Sequence, residues 1–368
     1  EEALGFNGYE RDTYTLNYHN NSNNPLLNLS ADAYFNEKRM VRGESTGTNW
    51  FRDSEGKWHK DGTATYPERN YSYKTIGLNI RNTFILNDIA WTAGIESFKS
   101  EQAIETSGLK QVTTADGTEK SENISVSNGP ESSLIGTYIQ GEFELGSFTV
   151  TPGIRYDAYS LSGAYDSSFN KLSPKLAVDW QANKDLILKA GYGRIFKGPG
   201  LPETLMISEG MEQSPDAKAE TGNHFEFNII QDLQSALNVD SAKAYINLYQ
   251  YTIDNYYHPT KNTSLNRNRI DLTMNGWEAG FNISQQDLSA YINYSYNSGE
   301  NAYDDYTTDN LYSGTHVVKI GVDYQVTEAL LVGWNSNFSK GASLTRSSIQ
   351  EGNLESLAVE KAGYGVSN

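Results

Sequence analysis

Cysteine is absent from this 368-residue chain, which removes disulfides, thiolate zinc sites and cysteine nucleophiles at once. Basic residues are few: 29 Lys and Arg stand against 46 Asp and Glu, a formal net charge of −17. A general nucleic-acid binder needs a basic footprint, so nucleic acid is not expected as a partner. Long apolar runs are missing too. None approaches the roughly 18 residues of a membrane-crossing helix, and mean hydropathy is −0.60. This excludes helical membrane spans but not a transmembrane barrel, whose alternating strands average to a soluble-looking value. No segment has a convincing 3.6-residue period. There is no signal peptide, and Glu1 is not an initiator Met, as expected of a mature, trimmed or partial chain.

Tyrosine is abundant, at 25, and 32 Gly with 9 Pro leave room for many turns. The dominant pattern is period two. Phe148, Val150, Pro152, Ile154, Tyr156 and Ala158 alternate with Thr149, Thr151, Gly153, Arg155 and Asp157. Leu288, Ala290, Ile292, Tyr294 and Tyr296 alternate in the same way with Ser289, Tyr291, Asn293 and Ser295. Val318, Ile320, Val322 and Tyr324 do so with Lys319, Gly321 and Asp323. Such alternation is a β signal. About fifteen strands are expected, at 10–19, 26–37, 69–85, 89–99, 133–145, 147–162, 170–181, 184–196, 219–232, 240–252, 268–283, 286–298, 312–326, 328–340 and from near 358. Many reach the ~9–11 residues that cross a bilayer obliquely.

The connections alternate as well. Short polar turns, as at Asn87–Asp88 and Gly146–Ser147, are followed by long polar loops at 38–70, 100–132, 163–170, 197–219, 253–268, 298–311 and 341–357. Short turns at one end and long loops at the other are the asymmetry of an outer-membrane barrel. The apolar parity often ends in aromatics: Tyr18, Phe35, Trp91, Phe98, Tyr156, Trp180, Trp277, Phe281, Tyr296, Trp334 and Phe338. Interfacial girdles explain them. The opposite parity carries Arg81, Glu96, Glu142, Glu144, Asp179, Lys189, Glu226, Glu278 and Asp323, which suits a face turned to water or a plug. The fold class is therefore all-β, a transmembrane antiparallel β-barrel. A soluble β-sandwich, propeller or solenoid is the alternative, but no fixed-period repeat supports the latter two.

Residues 184–230 are the most specific stretch. Phe196-Lys197-Gly198-Pro199-Gly200-Leu201-Pro202-Glu203-Thr204-Leu205 resembles the F-R-A-P-x-L-x-E-L box of TonB-dependent outer-membrane receptors. Ser214-Pro215-Asp216-Ala217-Lys218-Ala219-Glu220, with Glu226 beyond it, resembles the N-P-x-L-K-P-E box that follows. Lys197, Gly198, Ser214, Ala217 and Ala219 depart from those patterns. Leu172-Ser173-Pro174-Lys175-Leu176, Gly153-Ile154-Arg155-Tyr156-Asp157, Asn275-Gly276-Trp277-Glu278 and Ala362-Gly363-Tyr364 resemble further strand signatures of that family.

The resemblance implies a 22-stranded barrel, of which residues 1–368 form one partial domain. The N-terminal plug, the TonB box and the last strands are expected to lie outside this sequence. It also implies a Gram-negative outer-membrane location and energy from the TonB–ExbB–ExbD complex acting through the plug. Contact with outer-membrane lipid and lipopolysaccharide, and a monomeric state, follow in the same way. The implied cargo is an iron chelate, with no permanently bound cofactor and no catalysis. A ferric siderophore is favoured over haem or a haemoprotein, because loop 206–213 between the two boxes has no His. A non-transporting barrel, an adhesin or a passive porin, is the second alternative.

Iron chelates call for cationic and aromatic side chains converging from loops. Loop 38–70 offers Arg39, Arg42, Trp50, Arg52, Trp58 and His59; loop 253–268 offers Tyr256, Tyr257, His258, Lys261 and Arg267. His59 and His258 are the loop candidates for haem ligation, and no metal site is otherwise evident. Phe196, Pro199, Leu201, Glu203, Pro215, Lys218 and Glu220 carry the family motif and are expected to act structurally. The string Gly43-Glu44-Ser45-Thr46-Gly47 matches G-x-S-x-G but lacks the strand-to-helix context of a nucleophile elbow.

Overall fold

The computed structural model describes residues 6–21, 24–52, 58–163, 166–200, 218–257, 269–302, 312–340, 344–350, 353–359 and 364–367. In chain order the strands are β1 (Phe6–Asn21), β2 (Asn28–Arg42), β3 (Ser45–Arg52), β4 (Trp58–Tyr66), β5 (Arg69–Leu86), β6 (Ile89–Thr113) and β7 (Glu119–Asn128). Then come β8 (Glu131–Leu145), β9 (Phe148–Ser162), β10 (Ser167–Asn183), β11 (Leu186–Lys197) and β12 (Glu220–Asp232). A single-turn helix, α1 (Gln234–Leu237), leads to β13 (Ser241–Tyr257), β14 (Arg269–Gln285), β15 (Leu288–Ala302), β16 (Tyr312–Thr327) and β17 (Leu330–Lys340). The series ends with β18 (Leu344–Gln350), β19 (Asn353–Val359) and β20 (Tyr364–Ser367).

Eighteen strands form one antiparallel sheet, and β18 pairs only with β19. Setting aside β3, β4 and β7, fifteen strands build a continuous wall from β1 to β20. Among the described residues the wall is open: β1 pairs only with β2, and β20 only with β17. Tight turns join the wall strands at one end. Asn87 and Asp88 both take positive φ, 53° and 58°, as a type I′ turn requires, and Gly146 takes 65°. The register expected from alternation is present, but the long polar loops at 38–70 and 100–132 are not loops. Strand β2 runs on to Arg42, β3 and β4 form a hairpin, and β6 continues to Thr113 to pair with β7. Their polarity hid them, because a strand with polar side chains on both faces shows no apolar period.

Cross-strand register sorts the faces. Leu16, Ala33, Leu78, Ser97 and Ile135 are direct neighbours on one face. Ile76, Ile95, Ile135, Ile154, Leu176, Phe227, Leu248, Ile292 and Trp334 are all exposed there. This is the lipid-facing band. Above it, away from the tight turns, charge begins abruptly: Asp12, Glu37, Lys74, Glu101 and Glu131 stand side by side. Phe98 does not belong to this face. It pairs with Gly77 and Leu134 and packs, with Tyr73, Leu134, Phe169 and Phe196, on the buried pair Tyr159 and Leu161. Trp91 and Phe98 stand an odd number of residues apart on one strand, so only Trp91 shares the lipid-facing parity.

The inner face is polar and rich in tyrosine. Tyr34 lies across Gly77, Tyr138 across Gly94, Tyr249 across Gly276, Tyr245 across Gly280 and Tyr291 across Gly321. Each pair is a direct cross-strand neighbour. A bare glycine leaves the sheet surface open, and the ring of the adjacent strand covers it. Gly94 illustrates the fit: a Cβ there would stand 2.6 Å from the Tyr138 ring.

Candidate functional site

Strand β6 has 25 residues, a length of about 80 Å at ~3.3 Å per residue. It therefore runs far beyond the apolar band. There it pairs with β7 and, through Thr63, Ala64 and Thr65, with β4. Strands β3, β4, β6 and β7 thus form a small sheet outside the band. Asp61 links its two hairpins: its carboxylate accepts from the Ala115 amide at 2.9 Å, and its carbonyl accepts from Asn49 Nδ2 at 3.0 Å. Gly62, with φ +78°, sits where a Cβ would strike the Thr113 carbonyl, so only glycine permits this crossing. At the β6–β7 tip, Thr114 Oγ1 donates to Asp116 at 2.5 Å and the Thr118 amide donates to it at 3.0 Å. Together they hold the Asp116 carboxyl at a pKa of about 2.

Trp50 is 55 % and Phe51 47 % exposed near the β3–β4 tip, and His59 stacks on Phe51 with ring centroids 5.3 Å apart. Arg52 and Trp58 end the two strands as cross-strand partners. Arg39 is elsewhere, on the outward face of β2. Its guanidinium meets Glu10 at 3.1 Å and Glu37 at 2.7 Å, within a network that takes in Lys74. Arg42, three residues along on the inner face, is the cross-strand partner of Arg69 at the start of β5. Tyr256 faces Ile270 and Tyr257 faces Arg269 in the β13–β14 ladder. His258, Lys261 and Arg267 lie outside the described residues. The structure therefore brings Trp50, Phe51 and His59 together, and places Arg39 and Arg42 on opposite faces of one strand.

The motif residues that can be placed shape a strand exit. Tyr159 donates its hydroxyl to the Pro199 carbonyl, Pro199 is fully buried, and a Cβ on Gly198 would stand 2.5 Å from the Tyr159 ring. Lys197 and Glu220, the last residue of β11 and the first of β12, form an ion pair at 3.3 Å. Phe196 packs against the Tyr159–Leu161 cluster, and Lys218 is exposed. Leu201, Glu203 and Pro215 lie outside the described residues. A ring, a carbonyl and an ion pair thus hold Phe196–Pro199 and Glu220, the described residues that flank 201–217.

The inner wall holds two further groups. Arg155 donates to Asp157 at 2.7 Å and to Glu96 at 2.8 Å, closing an ion triad across β6 and β9. His224 stacks on Tyr251 with centroids 4.3 Å apart and an interplanar angle of 6°, and Tyr249 meets Tyr251 edge-on at 5.7 Å. Single-strand parity indicated that His224 faces inward. It gave no sign of Tyr249 and Tyr251 as its neighbours, because they come from a strand about 25 residues on. Among the described residues no group of three His, Asp or Glu side chains could hold a metal ion.

A family model described as "TonB dependent receptor-like, beta-barrel" matches residues 2–368. Solved structures with the same fold include the FrpB iron transporter from Neisseria meningitidis (F3-3 variant), with TM-score 0.64, 18 % identity, and coverage of 94 % of this chain and 53 % of that one. The ferric-catecholate import receptor Fiu from K12 E. coli gives 0.62 and 13 %, covering 93 % and 55 %. The copper transporter OprC gives 0.67 and 14 %, covering 92 % and 52 %. The chain thus spans about half the length of the structures it matches. No curated protein sequence matches it.

Proposed function

Because this chain belongs to the TonB-dependent receptor-like β-barrel family, we propose that it is the barrel wall of an outer-membrane receptor that takes up an iron chelate, a ferric siderophore in the first instance. The family match over residues 2–368 carries the reading. The two faces of the wall support it: a charge-free outward band for lipid and lipopolysaccharide, and a polar, charged inner face for a plug and a passing ligand. The outer sheet of β3, β4, β6 and β7 captures cargo with Trp50, Phe51 and His59 near its tip. Passage is powered through the plug by the TonB–ExbB–ExbD complex of the inner membrane. No bond in the cargo need break, so no catalytic group is required.

Haem is the second reading, and the Phe51–His59 stack favours it, since it presents an imidazole beside an exposed aromatic. A visible-absorbance titration of haem into the full-length receptor in detergent separates the two, with ferric siderophores as competitors. No Soret shift, together with saturable tryptophan quenching by a ferric siderophore, is the expected result. A stoichiometric Soret shift that is lost in His59→Ala would overturn the ranking. Ion conduction without energy coupling, and no chelate binding, would instead point to a passive porin.

A further inference from the structure

On the outward face of β14 to β17, one row combines rings with cations. Trp277, Tyr296, His316 and Lys340 are successive cross-strand partners. Tyr294 lies one step toward the tight turns and ties the row together. Its ring packs on Trp277 with centroids 4.6 Å apart. Its hydroxyl donates to His316 Nδ1 at 2.5 Å, which leaves Nε2 as the donor of that imidazole. The Tyr296 ring lies against His316 at 4.7 Å. The rings are thus held as one platform, and Trp277 keeps 39 % of its surface exposed.

The height of this row follows from the chain. His316 lies eleven residues from Thr327, the tight-turn end of β16, and Lys340 ten from Leu330, the tight-turn end of β17. A tilted strand crosses the hydrocarbon in about 9–11 residues, so the cations stand where lipid headgroups begin. One step further out, Gln250 donates to Asn275 at 2.8 Å, and Ser298 is the next cross-strand partner of Asn275. Among the described side chains of this row and the two rows beside it on β13 to β17, none is a carboxylate. The boundary over β1 to β8 is built otherwise. There Arg39 meets Glu10 and Glu37, Lys74 meets Glu37, and Lys99 meets Glu101 and Glu131, at 2.7–3.5 Å. Those cations are answered by the wall itself, whereas Lys340 is left for a ligand.

Resting on the outer-membrane reading above, we propose that the Trp277–Lys340 row is a fixed site for one phosphorylated glycolipid of the outer leaflet. Its phosphate meets Lys340 and His316 Nε2 in charge-assisted hydrogen bonds. Its sugar lies on Trp277, with hydroxyls turned to the amides of Asn275 and Gln250. Its acyl chains run toward the tight turns over Ile292 and Trp334, which are 46 % and 53 % exposed. The charge pattern selects this headgroup. An amine-bearing one brings a cation that needs a carboxylate, and these rows offer amides and hydroxyls instead.

The test uses the full-length receptor in detergent, with lipid A and phosphatidylglycerol as probes. Native mass spectrometry reads the lipid retained, and thermal melting reads the fold. One lipid A per chain is expected to persist under conditions that strip phosphatidylglycerol. Lys340→Gln with His316→Gln should lower lipid A affinity at least fivefold with the melting point unchanged, and Trp277→Leu should lower it as well. Should the double variant melt early, Lys340→Gln alone decides. Lys74→Gln, over β5, should leave the affinity as it was. Unchanged lipid A affinity in the folded variants overturns the site, as does an equal loss in Lys74→Gln. Equal retention of lipid A and phosphatidylglycerol overturns the sugar contact and the site with it, while iron uptake still stands. Full-length protein recovered outside the outer membrane removes the receptor reading and the site together.

Discussion

The ring of Tyr34 occupies the space that a side chain on Gly77 would need, one strand away on the inner face of the wall. Neither residue is informative alone. Together they explain why a chain this rich in tyrosine is also rich in glycine: the ring needs a bare neighbour to lie upon, and the bare neighbour needs a cover. Gly77→Ala should therefore destabilise the folded wall by about 1–3 kcal/mol, the range of an overpacked site. In a Tyr34→Ala background the same change should cost much less, a coupling that a double-mutant cycle in urea would report. Additive effects would mean that the ring and the glycine do not share that space.

The assignment of faces can be checked within one strand. Ile154 is 42 % exposed in the lipid-facing band, and Thr151 has the opposite parity on β9. Ile154→Lys should lower folding stability in bilayers by roughly 2–4 kcal/mol, the cost of a cation near the membrane midplane. Thr151→Lys should change it little. Equal losses would reverse or abolish the two-faced reading.

Arg155 holds two carboxylates together, and one of them, Asp157, has a side chain only 5 % exposed. Arg155→Ala leaves that charge without its partner. The expected loss is about 2–3 kcal/mol, below the ~3–5 of a fully buried pair, because Arg155 and Glu96 are 30 % and 38 % exposed. Urea unfolding of the variant in detergent measures it. The double change Arg155→Ala with Asp157→Asn should recover part of the loss.

Asp116 makes the β6–β7 tip sensitive to acid. Its folded pKa of about 2 lies below the ordinary 3.8, so the carboxylate form is favoured by the folded turn. The stabilisation is complete above pH ~4 and fades as pH falls through 3.8 toward 2. Protection of the Thr118 amide against hydrogen exchange should drop across that window, after correction for intrinsic rates. Asp116→Asn should be flat over the same range. A flat wild-type profile would remove the carboxylate from the turn.

Much of the wall was legible because each strand buries nothing but a parity. Apolar side chains on Ile154 or Leu248 must alternate when one face meets lipid and the other water, and alternation is a local property. The tight turns were legible for the same reason, as at Asn87–Asp88. What lay hidden depends on partners. The strands β3, β4 and β7 are polar on both faces and carry no apolar period. Phe98 was grouped with the girdle, though its parity on β6 is opposite to that of Trp91; what only register supplied is its packing on Tyr159 and Leu161. Arg39 and Arg42 read as loop residues, yet strand β2 separates them onto opposite faces. The motif stretch from Phe196 announced itself by spacing, while its packing depends on Tyr159, which no local pattern connects to Pro199.

Every wall strand is bonded to the wall strands next to it in the chain, and where the sequence departs from that order the intervening segment is a hairpin or strand extension of its own, as between β2 and β5. Closing each contact therefore costs limited chain entropy, since that cost grows only slowly with the length of the intervening segment. Assembly can advance as a zipper, one hairpin docking on the last, with no threading and no distant segment awaited. The step most exposed to error is the joining of β2 to β5, which must wait for, or tolerate, the β3–β4 hairpin between them. Lengthening that hairpin should slow assembly without weakening the finished wall.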